Sequence, residues 1–383
     1  MIISGTTLSS ISVYSAPIKS YSFSTAPVDI GQPATFTYNV STVNVFDNTT
    51  LYWTIVNGTS TDANFSSNSG SFTVTSNTGS FNISTTSNAT TTTNYTFTLQ
   101  IRTDSTSGTI VLTSNTITLH VPVGEQIFTN SSNTTNLSTS ITIPAYVYSV
   151  SVVCVGAGGW QYPVGSTTGY GGGGGGGLGY KNSYAVTPST VYNVQVGGSH
   201  INSTNLAYQG DSWFNTNTVV RGGGGQNTTG GNTPGVGGSY TGDGGGNGGT
   251  GGQGPLNTYS AGGGGAGGYA GNGGAGKSGT GVAGSGGGGG GGAGGLAAYV
   301  VGGNGGGVGL LGQGSNGTGG TPSSTTGNPS GQGGPGSGGT DASYGGGMGG
   351  NESASMLGGN GAVRIIWPGN SRTFPATNTG TLS

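Results

Sequence analysis

The sequence predicts an all-β protein in two parts: an N-terminal β-sandwich, then a glycine-rich domain combining β-strands with packed polyproline II strands. Before residue 145, apolar and polar residues alternate with a period of two and helical periodicity is missing. Only seven of the 91 glycines precede residue 145, so the glycine content changes abruptly along the chain. At 383 residues, the chain is long enough for each part to bury its own core.

These changes in composition divide the chain into five segments. They are an N-terminal segment (1–19), an immunoglobulin-like β-sandwich module (20–121), a linker (122–140), the glycine-rich domain (141–369) and a C-terminal tail (370–383). The linker is predicted because residues 122–140 lose the apolar alternation and become polar. The domain boundary is therefore expected there.

The β-sandwich is predicted from six segments in which every second residue is apolar. They run from Phe36 to Val40, Leu51 to Ile55, Phe72 to Val74, Phe81 to Ile83, Tyr95 to Ile101 and Ile117 to Val121. Breaks at 57–58, 77–79 and 107–108 contain Asn-Gly, Asn-Thr-Gly and Ser-Gly, which favour turns. We expect about seven antiparallel strands, in a module that serves as a spacer or an attachment point.

The glycine-rich domain retains five strand-like segments. They are 141–156, 181–196, 211–215, 218–221 and 361–368, and the last could close a sheet that the first opens. Between them, Gly-Gly-X triplets keep a three-residue phase, as at Asn247, Thr250 and Gln253, and three residues is the polyproline II repeat. Interrupted triplets and only 14 prolines argue against a collagen helix.

Fixing the backbone of a glycine-rich run in one conformation has a high entropic cost. A flexible glycine linker is therefore the alternative to packed polyproline II strands. Fixing the backbone costs ~1–2 kcal/mol per residue, which interstrand hydrogen bonds would have to offset. Tyr269, Leu310 and Met348 are among the apolar residues that punctuate the runs, and an unstructured spacer would not need them. These residues and the persistent triplet phase favour ordered packing.

The composition also excludes several classes of function. Charged residues make up 4% of the chain and its seven cations are scattered, so we predict no nucleic-acid binding. No apolar run approaches the ~18 residues of a membrane span, and the N-terminus does not resemble a secretory signal. Because His and carboxylate residues are not clustered, we predict no enzyme activity, cofactor or metal. Cys154, the single cysteine, lies in an apolar run and is expected to be buried.

Candidate contact residues are the aromatic side chains of two loops. They are Trp160, Tyr162 and Tyr170 in the first loop, and Tyr208, Trp213 and Phe214 in the second. Loops 157–175 and 198–215 are predicted to form one receptor-facing surface, because flat apolar rings stack on sugars and anchor interfaces. Burial of these rings in a core is the alternative.

The stretch ITIPAYVYSVSVVCVGAGG, followed by GYGGGGGGGLGYKNSYAVTPSTVYNVQVGG, resembles the glycine-rich domain of bacteriophage tail-fibre and adhesin-type structural proteins. The C-terminal segment GAVRIIWPGNSRTFP is similar to the C-terminus of structural proteins of T4-like phages of marine cyanobacteria. The resemblance covers residues 141–383. The N-terminal LYWTIVNGTSTDANFSSNSGSFTVTSNTGSFNIS also resembles modules of large phage structural proteins.

This resemblance implies a protein on the exterior of a virion, in a tail fibre or surface fibre. Its implied partners are other virion proteins, further copies of the chain with a trimer favoured, and a host surface glycan or protein. Host-cell attachment is the expected role. The alternative is a purely structural component whose glycine-rich domain mediates assembly, which burial of the loop aromatics in a subunit interface would favour.

Overall fold

The computed structural model has an all-β fold, as predicted. It describes residues 16–86, 93–132, 135–161, 170–199, 210–228, 233–254, 260–278, 302–314, 318–319, 344–349 and 358–376. Within these residues the chain forms nineteen strands and a single short 3₁₀ helix, Asp62–Asn64. Of the described residues, a first compact unit comprises those up to His120 except Gly31–Pro33, and a second comprises Gly31–Pro33 and those from Val121 onward.

The first unit is a β-sandwich of nine strands. They are β1 (Ser20–Thr25), β2 (Asp29–Ile30), β3 (Thr35–Val43), β4 (Thr50–Asn57), β5 (Ser69–Thr73), β6 (Thr78–Ser84), β7 (Tyr95–Arg102), β8 (Ile110–Thr113) and β9 (Ile117–Leu119). One sheet has the order β1-β3-β6, and the other has the order β2-β9-β7-β4-β5 with β8 paired to β7. The predicted alternation is confirmed, since Tyr38 and Phe81 of one sheet pack in a common core with Trp53 and Leu99 of the other.

The second unit contains ten strands in two antiparallel sheets. They are β10 (Gly124–Thr129), β11 (Leu137–Thr142), β12 (Ser149–Val155), β13 (Leu178–Ala185), β14 (Val191–Val196), β15 (Ser212–Phe214), β16 (Val220–Gly222), β17 (Tyr240–Thr241), β18 (Gly244–Gly246) and β19 (Ala362–Trp367). The sheet orders are β10-β19-β12-β13-β18 and β11-β14-β15-β16-β17. The expected closure of the sheet is confirmed, because β19 pairs directly with β12.

The predicted linker at 122–140 and the predicted tail at 370–383 are wrong for the described residues. Strand β10 pairs along its length with β19, and β11 pairs with β14. Both are edge strands, and half-exposed edges can keep polar side chains without a strict apolar alternation. In the predicted tail, Arg372 and Phe374 are buried, so the fold continues beyond residue 369.

Strand β12 is buried on both faces, which explains its nearly continuous apolar sequence. Val152 and Cys154 face a core shared with Phe214 of the second sheet. Val153 faces a different core, to which the glycine-rich runs contribute Tyr269. Cys154 is fully buried as predicted, and burial raises the pKa of its thiol.

The glycine run 172–177 lies at the centre of a bundle of extended strands. Its six backbone N–H groups donate in turn to the carbonyls of Gly252, Met348, Gln226, Gly249, Gly345 and Gly223. Donors three residues apart therefore reach the same neighbouring strand. This period of three matches the polyproline II repeat.

Six strands surround this central run and close a ring around it. In order around the ring they are 156–159, 223–226, 235–238, 246–252, 262–267 and 345–348, and each is hydrogen-bonded through its backbone to the next. The central carbonyls accept hydrogen bonds from three of these strands: Gly159, Gly235 and Gly264 donate to residues 174, 172 and 173. The described glycine runs are therefore packed and ordered, as the triplet phase predicted.

Candidate binding surface

The structure does not gather the predicted aromatic residues on one exposed surface. Trp160 is 6% exposed and Phe214 is fully buried, so their prediction as contact residues is wrong. Tyr170 is half-buried, and its backbone forms an isolated parallel β-bridge with Ser260. Tyr162 and Tyr208 lie outside the described residues. Trp213 is partly exposed and remains a candidate.

Phe214 is buried because it lies on the face of its sheet that packs in a hydrophobic core. Neighbouring residues of a strand point to opposite faces of the sheet. Its ring stacks on Tyr192, with the centroids 5.6 Å apart, and meets the edge of Tyr184 at 5.8 Å. Trp213, one residue earlier, consequently points away from this core.

Trp160 directly follows strand 156–159, one of the six strands around the central glycine run, and it is hydrogen-bonded to a neighbouring segment. Its backbone N–H donates to Asn227 Oδ1 at 2.7 Å, and its carbonyl accepts from the Thr228 N–H at 3.0 Å. The segment that follows the ring strand 223–226 therefore fixes the backbone of Trp160 on both sides of the residue.

The strand register places Trp213 in the middle of a row of side chains that crosses the second sheet. Successive cross-strand partners in this row are Ser138, Gln195, Trp213, Arg221 and Thr241. Cross-strand partners share one face of a sheet, and this face is opposite to the one that buries Phe214. We call these five residues the Trp213 row.

Arg221 is held in the row by a carboxylate and a hydroxyl. Its Nη1 lies 3.3 Å from Asp211 Oδ2, and its Nη2 donates to Ser239 Oγ at 2.8 Å. The other oxygen of Asp211 accepts from the Gly224 N–H at 2.8 Å. Burial raises the pKa of Asp211, while the Gly224 N–H and Arg221 act in the opposite direction. The charge of Arg221 is thus balanced within the protein.

Gln195 and Trp213 present polar atoms that the described protein does not use. The Gln195 Nε2 donates to the backbone carbonyl of Asp211 at 3.0 Å, which fixes the side chain and leaves its Oε1 without a hydrogen-bond partner among the described residues. The indole N–H of Trp213 likewise has no hydrogen-bond partner within the described part of the chain, and the side chain is partly exposed. Trp213 and Gln195 therefore give the row an apolar ring, an available donor and an available acceptor.

Sequence reasoning identified Trp213 but missed Gln195, Arg221 and Asp211. The alternation around Gln195 predicts that it points away from Val194 and Val196, which are buried. The register that brings Gln195, Trp213 and Arg221 together depends on three separate strands. No local pattern in the sequence specifies that register.

Phe214→Ala is expected to lower the free energy of unfolding of the second unit by about 3–5 kcal/mol, because it removes a buried ring from a packed core. Trp213→Ala, at the neighbouring partly exposed position, should cost much less. Urea unfolding followed by intrinsic fluorescence measures both changes. Equal losses for the two variants would contradict their assignment to opposite faces.

No protein-family model matches the chain, and no curated protein sequence matches it. Among solved structures, the chain is similar to the crystal structure of calcium binding domain CBD12 of CALX1.1, with 9% identity and a TM-score of 0.24 over 36% of this chain and 64% of that chain. For CBD12 from CALX1.2 the identity is 11% and the TM-score 0.24, over 39% of this chain and 65% of that chain. The chain thus spans less than two thirds of the length of either structure.

The described ranges lack two other kinds of feature. Those residues contain no group of three or more His, Cys, Asp or Glu side chains that could hold a metal ion. They also contain no helix that is long and apolar enough to cross a membrane.

Proposed function

We propose that this chain is a bacteriophage virion protein, a component of a tail fibre or surface fibre that attaches to the host cell through the Trp213 row. The observation that carries the proposal is the partly exposed Trp213, whose indole N–H lacks a partner among the described residues. Tryptophan is enriched among the residues that dominate binding interfaces. An unsatisfied donor on such a ring is available to a ligand.

The scaffold beneath the row supports this role. Arg221 begins the segment that continues into the ring strand 223–226, and Ser239, which binds Arg221, follows the ring strand 235–238. These strands are fixed by backbone hydrogen bonds to the central run and to each other. A side chain on such a rigid support loses little further freedom when it binds, which favours affinity.

A purely structural role in the virion is the second candidate, and a feature of the first unit favours it. Ile18, Val43 and Phe46 are 86%, 55% and 82% exposed. The Ile18 backbone is held in place by a hydrogen bond from Asn44 Nδ2 at 2.7 Å. Several exposed apolar side chains close together, unlike a single one, are typical of contacts with another protein. We propose other virion proteins, or further copies in a trimer, as the partners of this unit.

Trp213→Ala is expected to reduce binding of the labelled protein to host cells by at least about tenfold, because it removes the central ring of the contact. A panel of marine cyanobacterial strains supplies the cells, and flow cytometry measures the bound protein. Ile127→Ala is the matched control, since Ile127 is 42% exposed and lies on β10 of the other sheet.

Wild-type protein and the Ile127→Ala variant should bind the same strains with the same affinity. If a folded Trp213→Ala variant binds as strongly as the wild type, host attachment through this row is wrong. If the wild type binds no strain in the panel, the structural role becomes the better proposal.

A further inference from the structure

The charges near the Trp213 row are paired within the protein. Arg221 is matched by Asp211, and Lys181 of the neighbouring sheet is matched by Asp243, with a distance of 2.6 Å between Nζ and Oδ1. An anionic ligand would have to compete with Asp211, which is 4% exposed and also held by the Gly224 N–H. A cationic ligand would likewise find this carboxylate occupied. The row is therefore suited to an uncharged ligand.

The chemical groups of the row narrow the ligand class further. Trp213 supplies an apolar ring and a donor, and Gln195 supplies an acceptor from the neighbouring strand. A sugar ring has an apolar face of C–H groups and a rim of hydroxyls that both donate and accept hydrogen bonds. Aromatic rings with a polar edge bind ligands that are apolar on one side and polar on the other.

We infer that the Trp213 row is a binding site for an uncharged saccharide, such as the neutral sugars of a bacterial surface glycan. This inference rests on the proposed function, because it names the ligand class of the same surface. Trp213 packs against the sugar face, while Gln195 Oε1 accepts a hydrogen bond from a sugar hydroxyl. Gln195 and Arg221 are already fixed by hydrogen bonds to Asp211, so binding orders few additional side chains.

Titration of the full chain with monosaccharides tests the inference directly. The indole ¹H–¹⁵N resonance of Trp213 is one of four, and its loss in Trp213→Phe assigns it. We expect at least one of glucose, galactose, mannose, rhamnose and N-acetylglucosamine to shift this resonance, with a Kd on the order of 1 mM for one sugar unit. Glucuronate and N-acetylneuraminate should bind at least about tenfold more weakly, because neither charge is compensated by the row.

Variants separate the contributions within the row. Gln195→Ala should weaken the binding of the same sugar by about tenfold through loss of the acceptor. In Trp213→Phe, followed by isothermal titration calorimetry, the sugar should still bind but more weakly, because the ring remains and the donor is lost. Unchanged affinity in both variants would overturn the inference, as would the absence of any shift with all five neutral sugars at concentrations on the order of 100 mM.

Treatment of the host cells distinguishes this inference from the proposed function. Periodate oxidation of surface glycans should abolish the Trp213-dependent binding, and protease treatment should not. If protease abolishes binding and periodate does not, the ligand is a protein. That outcome would overturn the saccharide inference while leaving attachment through the row intact.

Discussion

Gly174→Ala is expected to destabilise the second unit by at least about 3 kcal/mol, because there is no space for a side chain at the centre of the glycine bundle. An added Cβ would lie 2.1 Å from the carbonyl oxygen of Val236 and 2.5 Å from its carbonyl carbon. The obstacle is backbone, so no rotation of a side chain could relieve the clash. Separation of the strands would break the hydrogen bonds from Gly174 to Gln226 and from Gly159 to Gly174.

Chemical denaturation followed by circular dichroism measures this loss, and amide hydrogen exchange shows whether it is local to the bundle. Thr250→Ala is the matched control, because Thr250 is an exposed residue of the ring strand 246–252 and should change the stability by less than about 0.5 kcal/mol. A Gly174→Ala variant that unfolds at the wild-type denaturant concentration would show that the central run is not packed in this way.

The position of a strand in the bundle explains which kind of glycine pattern it carries. The central run 172–177 has neighbours on six sides, and a Cβ at any of its residues would lie within 2.5 Å of a backbone atom. Its sequence is therefore glycine alone. The ring strand 246–252 has an open side, to which Asn247 and Thr250 point. In the central run, glycine alone thus coincides with backbone neighbours on every side, whereas in strand 246–252 the X residues of the Gly-Gly-X pattern occupy the exposed side.

Much of the fold could be predicted because it depends on local patterns. Apolar alternation identified β3, β4 and β7, and the triplet phase identified the packed glycine strands. The turn between β5 and β6 was also predicted, and Ser76 and Asn77 there have positive φ angles of 49° and 60°. Such angles suit a tight hairpin turn.

The missed features depend on contacts between distant parts of the chain. Strand β10 is polar in sequence and becomes a strand only because β19, more than 200 residues later, provides its partner. Alternation places Trp213 and Phe214 on opposite faces, but it does not show which face is buried. That choice is made by Tyr184 and Tyr192, whose rings pack against Phe214.

Glu125 on β10 lies between two buried arginines and connects the C-terminal segment to the fold. Arg364 is fully buried, and its Nη2 donates to Glu125 Oε2 at 2.5 Å while its Nη1 donates to the Leu310 carbonyl. Arg372 lies 3.3 Å from the same oxygen and donates to the Gly124 carbonyl at 2.6 Å. Burial lowers the pKa of Arg372, the proximity of Arg364 lowers it further, and Glu125 raises it. The carboxylate therefore compensates two positive charges that face one another.

Glu125→Ala is expected to lower the free energy of unfolding of the second unit by about 3–5 kcal/mol, because it removes the carboxylate that pairs with the buried Arg364. Lys181→Met is the control: it breaks the ion pair with Asp243, whose side chain is 38% exposed, and should cost less than about 1 kcal/mol. Denaturation measures both losses, and limited digestion with trypsin should show earlier cleavage at Arg372 in Glu125→Ala. Glu125→Gln retains the shape without the charge and should fall between the other two variants. If Glu125→Ala cost no more than Lys181→Met, packing of Phe374 against Tyr269 would be sufficient to hold the C-terminal segment.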